Sequence, residues 1–167
     1  ASPLHFVAWF NTGPGAAETV AKLVEAGAEV EAMDGKYGWT PLFFAAWGNT
    51  NVDVLAALLK AGAEKNAKGK DGRSPLHCAA MNNSNPEVTA ALLKAGADAN
   101  ARNSEGKRPF DYANKNGKLK GTEAYRMLYD AGEGFIELCR SGSVERIQAA
   151  MHAGADRNGK AGKFGAT

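Results

Sequence analysis

Side chains able to carry out chemistry are sparse in this sequence: three histidines, His5, His77 and His152, two cysteines, Cys78 and Cys139, and scattered carboxylates. The adjacent pair His77-Cys78 suggests a thiol activated by an imidazole base. Neighbouring residues on a helix point in different directions, however, so the two are poorly placed to share a proton. Cys78 is expected to pack as a small apolar side chain instead. The cysteines lie 61 residues apart without a CxxC spacing, which indicates neither a disulfide framework nor a zinc site. Gly69-Lys70-Asp71-Gly72 has the glycine and lysine of a phosphate loop but not its strand and helix, and is assigned to a turn. No catalytic residue, metal ligand or cofactor site is expected.

The elements that position these residues follow from two recurring phrases. Ser2-Pro3-Leu4-His5, Thr40-Pro41-Leu42-Phe43, Ser74-Pro75-Leu76-His77 and Arg108-Pro109-Phe110-Asp111 place prolines 38, 34 and 34 residues apart. Gly27-Ala28, Gly62-Ala63, Gly96-Ala97 and Gly154-Ala155 form the second phrase, with Gly62 and Gly96 each 21 residues after their prolines and Gly27 24 after Pro3, and Gly132-Glu133 is a degraded copy. Ser or Thr before Pro starts a helix, because the hydroxyl serves an orphan backbone N–H and Pro at the first helical position gives up no hydrogen bond. Between Asn51 and Lys60, Val52, Leu55, Leu58 and Leu59 form the stripe of a second amphipathic helix. Gly62 then stops it. The stretch Asn66 to Arg73 is polar and punctuated by glycine, as turns are. The unit is helix, helix, turn.

Ser74-Pro75-Leu76-His77-Cys78-Ala79-Ala80, followed by Ala91-Leu92-Leu93-Lys94-Ala95-Gly96-Ala97-Asp98-Ala99-Asn100, resembles the ankyrin repeat with its T-P-L-H-x-A phrase and period of ~33 residues. The resemblance implies an all-α solenoid of helix-turn-helix units joined by β-turn loops, about five units including partial ones. Units are expected near 1–33, 34–67, 68–101 and 102–134. The fourth is expected to be irregular, because Arg108 replaces the capping hydroxyl and a helix starts only near Thr122. Residues 135–167 look like the start of a further ankyrin block, with Ser143 capping a helix to His152 and the chain stopping inside a repeat. That suggests a fragment of a longer array, with head-to-tail self-association through uncapped ends. The turns between paired helices, such as Trp47 to Asn51 and Met81 to Pro86, are longer than the family's and are expected to protrude, in the style of bacterial ankyrin proteins.

The resemblance also assigns His5 and His77 to hydrogen bonds between adjacent turns, and implies a non-catalytic protein-binding module that uses turn tips and the exposed side of the first helices. Those tips are Lys36, Tyr37 and Trp39, then Lys70, Asp71 and Arg73, then Ser104, Glu105 and Lys107. The variable position after the inner helix's alanines is Trp9, Trp47, Met81 and Asn114. All three tryptophans fall where the fold makes no demand, and Trp, Tyr and Arg are the side chains most enriched in binding hot spots. Trp9 could instead cover a terminal repeat, and Trp47 fill space under its loop.

Composition narrows the partner. With 20 basic and 18 acidic residues the net charge is +2, unlike a dedicated nucleic-acid binder. Lysines and arginines crowd the middle turns, which keeps electrostatic binding of nucleic acid or an acidic partner as an alternative, testable by its salt dependence. No apolar run approaches the ~20 residues that cross a bilayer. Membrane insertion is not expected, and the sequence leaves the compartment open, with a soluble, cytoplasmic location favoured.

Overall fold

The computed structural model describes residues 1–134, so the expectations for residues 135–167 lie outside the described residues. Eight α-helices form among them: α1 Pro3–Phe10, α2 Ala16–Glu25, α3 Pro41–Gly48, α4 Val52–Lys60, α5 Pro75–Asn82, α6 Pro86–Lys94, α7 Pro109–Ala113 and α8 Glu123–Tyr129. A π-helical turn, Asp130–Gly134, follows. The helices pair as α1/α2, α3/α4, α5/α6 and α7/α8, and the pairs stack so that α1, α3, α5 and α7 form one layer and α2, α4, α6 and α8 the other. None of these helices is long and apolar enough to cross a membrane.

Each inner helix starts at a proline, and in α1 and α5 the cap is reciprocal. His5 Nδ1 accepts the Ser2 backbone N–H at 2.9 Å, and His77 Nδ1 accepts that of Ser74 at 3.1 Å. With Nδ1 accepting, the ring proton sits on Nε2. It is donated to the Trp39 carbonyl from His5 and to the Lys107 carbonyl from His77, both at 3.0 Å. Histidine thus ties one pair to the turn before the next. Asp111 repeats the local half of this device, accepting the Arg108 N–H at 2.7 Å. At α3, Phe43 stands in the histidine's place and the buried Thr40 hydroxyl has no partner.

The core runs between the layers through Leu4, Leu42, Leu55, Leu58, Leu76, Leu92 and Leu128. The buried side of α4 is Val54, Leu55 and Leu58, while Val52 and Leu59 are only half-buried. The expected stripe is therefore rotated, because α4 is squeezed between α2, α3 and α6 and presents a face rather than a seam. Gly62 ends α4 in the left-handed region (φ 92°), which lets the Ala63 N–H close on the Leu58 carbonyl at 3.0 Å.

The inter-helix turns do not stand out from the body as expected. Asn49 is fully buried, and its amide donates to the carbonyls of Ala8 (2.9 Å) and Asn11 (3.0 Å) at the end of α1. Asn83 does the same to Ala46 and Asn49, both at 2.9 Å, and Asn116 to Ala80 (3.2 Å) and Asn83 (3.1 Å). Each asparagine also accepts a backbone N–H two residues on. The extra residues in these turns form an asparagine ladder that straps each pair to the one before. Buried carbonyls need such partners, which is why the turns lie down.

Candidate partner-binding face

The turns leading into α3, α5 and α7 are joined edge to edge by backbone bonds: Lys70 N–H to the Tyr37 carbonyl (2.9 Å) and Ser104 N–H to the Asp71 carbonyl (3.0 Å). Their tips therefore form a row beside the inner helices. The first tip is shaped by Asp34, a residue that sequence reasoning missed. Its carboxylate accepts the backbone N–H groups of Trp39 (2.7 Å), Tyr37 (3.1 Å) and Lys36 (3.2 Å). Burial would raise its pKa, but those three N–H bonds outweigh it and hold the carboxyl below its ordinary range. The available signal was an aspartate beside a turn glycine, a residue type that bonds its own following backbone.

Trp39 corrects the sequence expectation. It is only 6% exposed. Its ring stacks on Phe43 (5.6 Å between centroids, 13° between planes), meets Phe44 edge-on at 5.6 Å and touches Trp47 at 5.5 Å. It lies over Gly69, where a Cβ would come within 2.9 Å of the indole. The ring folds inward because unit spacing sets a glycine opposite it, and so it belongs to the core. Its N–H is buried without a partner.

The other predicted residues divide into stitching and display. Lys70 is spent on structure: its ammonium bonds the Gly35 carbonyl at 2.6 Å, and its stem covers Gly38. Ser104 sits against Gly72. Tyr37 is exposed, with the Lys36 ammonium 4.7 Å above its ring. Trp47 and Met81 are half-buried. Arg73 gathers the third group, pairing with Asp71 at 3.2 Å, reaching the Met81 sulfur at 3.7 Å and lying 5.6 Å over the Tyr112 ring. Lys107 approaches the same ring at 5.8 Å while paired with Glu105. Tyr112 was not foreseen; its signal was its place three residues after Pro109, matching Phe44 and Cys78 after their prolines. Trp9 is exposed at the far end of the row, stacked on Phe10. Asn114 is misregistered by the sequence reading: counted from the prolines it matches Ala80, and Lys115 matches Met81. It bonds the Tyr125 hydroxyl at 2.6 Å.

The described residues hold no group of His, Cys, Asp or Glu arranged for a metal ion. Cys78 is buried and its thiol pushed up by desolvation, which disfavours the thiolate. The two described histidines are committed to the helix starts. The face presents aromatic rings, a thioether and partly neutralised cations, which offer contact area and hydrogen-bond donors.

Comparison with known proteins agrees with this geometry. A family model described as ankyrin repeats (3 copies) matches residues 49–135, just over half the chain, and one described as ankyrin repeats (many copies) matches residues 14–59. Among curated proteins, the ankyrin repeat protein nuc-2 of Neurospora crassa is 42% identical over 64 residues, covering 38% of this chain. The chain spans only 6% of that protein's length.

Proposed function

Because this chain belongs to the ankyrin repeat family, we propose that it binds another protein through the row of turn tips and inner-helix positions at Tyr37, Trp47, Met81, Arg73, Tyr112 and Lys107. Ankyrin repeats are in general protein–protein interaction modules and typically not catalytic. We take residues 1–33, 34–67, 68–101 and 102–134 as the four units that build it. The observation that carries the reading is the continuity of the face. Arg73 bridges Asp71, Met81 and Tyr112, and Trp39 joins Tyr37 to Trp47 from beneath. Side chains held by neighbours lose little freedom on binding, so their contact area converts to affinity efficiently. The tip cations Arg73 and Lys107 already face Asp71 and Glu105, which favours a mixed protein surface over a polyanion.

The test is capture of partners from a lysate of the source organism by the wild-type chain, by Trp47→Ala/Arg73→Ala and by the outer-helix control Lys60→Ala, all with folding checked by circular dichroism. One protein held by wild type and control but lost from the double variant supports the reading, with a loss of ~30-fold or more in affinity if both are hot spots. Equal capture by all three moves the site elsewhere. A retained partner whose binding collapses between 50 and 200 mM salt, on the order of a thousandfold, would favour the polyanion alternative.

A further inference from the structure

The three asparagines that strap one helix pair to the one before differ in the residue that follows them. Asn49 precedes Thr50, Asn83 precedes Ser84 and Asn116 precedes Gly117. An asparagine side chain places an electrophilic amide carbon within reach of the next residue's backbone nitrogen, and attack by that nitrogen closes a five-membered ring. A β-carbon on the next residue crowds the approach and narrows its backbone, and glycine does neither. The fold makes no demand for glycine at 117. Its φ lies outside the left-handed region, and a Cβ built on it meets no atom within 4 Å. A serine, as at 84, would fit.

The surroundings of Asn116 favour ring closure. Gly117 is exposed, and its N–H makes no hydrogen bond within the described residues, so the attacking nitrogen is unencumbered. The Lys118 N–H donates to Asn116 Oδ1 at 3.0 Å, where negative charge gathers as the ring closes. What holds the reaction back is the rung itself, because the amide nitrogen that must leave donates to the Ala80 and Asn83 carbonyls. Those bonds, at 3.2 and 3.1 Å, are longer than the pair made by Asn49, 2.9 and 3.0 Å, or by Asn83, both 2.9 Å. The rung also hangs on α7, which has five residues where α3 and α5 have eight. It is therefore the rung that local opening frees most readily.

We propose that Asn116 is a site of spontaneous deamidation, and that its product unstraps the α7/α8 pair from α5/α6. The Gly117 nitrogen bonds to Asn116 Cγ and gives up its proton, while the Cγ–Nδ2 bond breaks and the amide nitrogen leaves as ammonia. Water then opens the cyclic imide at either of its carbonyls, leaving aspartate or isoaspartate at 116. The net change is water consumed and ammonia released, with nothing oxidised or reduced. The donor of the rung has become a carboxylate, which only accepts, and the two carbonyls it would face repel it. The Ala80 and Asn83 carbonyls thereby lose their side-chain donor. Tyr112 lies on α7, so the same event loosens one ring of the tip row, although the proposal stands whether or not that row binds a partner.

The test holds the whole folded chain at mildly alkaline pH and follows its peptic fragments over time by mass spectrometry. Asn116 should gain one mass unit well before Asn49 or Asn83, in two products that separate on chromatography. The gain should be strongly slowed in Gly117→Ser, which keeps the melting temperature of the parent. Asn158-Gly159 repeats the dipeptide and shows whether the conditions support the chemistry. Conversion at Asn158 with Asn116 intact overturns the proposal, since the rung would then protect its asparagine, and so does conversion of Asn49, Asn83 and Asn116 at one rate. The consequence is read by native-state hydrogen exchange on Asn116→Asp and on the aged wild-type chain, purified from the unmodified form by anion exchange. Amides of α7 and α8 should exchange ~10-fold faster or more, the effect of leaving two carbonyls unpaired, while those of α3 and α4 keep their rates. Unchanged exchange in α7 and α8 of the aged chain overturns the unstrapping.

Discussion

At the scale of residues, the contacts that matter most are those with no spare room or no spare partner. A methyl group at Gly69 would stand 2.9 and 3.0 Å from the Trp39 ring and 3.3 Å from the Tyr37 carbonyl. Neither the stacked ring nor the backbone can move freely, so Gly69→Ala is expected to destabilise by ~1–3 kcal/mol in urea unfolding; an unchanged midpoint would mean the tip yields. His77 gives the chain a pH dependence. Burial pulls its imidazole below the ordinary 6.5, and the nearby Lys68 and Arg73 charges add to this against the Lys107 carbonyl bond. The folded state therefore takes up the proton less readily than the unfolded one, so the stabilising contribution is whole above ~6.5 and declines as pH falls from there to the folded pKa. Urea midpoints between pH 7.5 and 5.0 should fall in wild type and fall less in His77→Gln. Asp34 acts in a lower window: its depressed pKa means stability held above 3.8 and lost as pH drops through the folded value.

The elements owe their arrangement to polar side chains as much as to the apolar core. An inner helix of eight residues, such as α1 or α5, is too short to persist alone. It is held by its start, where histidine or aspartate takes the cap N–H, and by its end, where the next pair's asparagine takes two carbonyls. Asn83→Ala would leave the Ala46 and Asn49 carbonyls without the bonds they now receive at 2.9 Å. Its expected cost is ~2 kcal/mol, within the usual penalty for buried groups left unpaired. The neighbouring Asn82 is exposed and makes one longer bond to the Trp47 carbonyl, 3.2 Å, so Asn82→Ala should stay within about 0.5 kcal/mol. Equal losses at both positions would deny the ladder its role.

For the whole molecule, stability is a sum over pairs and the interfaces between neighbours. The second and third pairs have neighbours on both sides, whereas α1 and α2 have described neighbours on one. Native-state hydrogen exchange should therefore show the amides of α3 to α6 opening last and those of α1 and α2 earlier. Uniform protection across α1 to α6 would show instead that the stack opens as one unit. The same linear build sets neighbouring tips side by side, bonded edge to edge, so that each adds its side chains to the proposed face.

The fold and its period could be read directly from the sequence, because a solenoid repeats a local instruction: proline and hydroxyl to start a helix, glycine to end one, leucines between. The roles of His5 and His77 at the turns were legible through the family phrase for the same reason. What the tertiary structure decided is where a side chain points once two units meet. Trp39 occupies a tip position in sequence, but only the stacked structure reveals that Gly69 across the interface leaves a slot for its ring. The asparagines at 49, 83 and 116 recur with the period, yet whether a polar turn protrudes or lies down depends on carbonyls in another unit seeking a donor. Periodicity is a property of one chain segment, whereas exposure is settled by two.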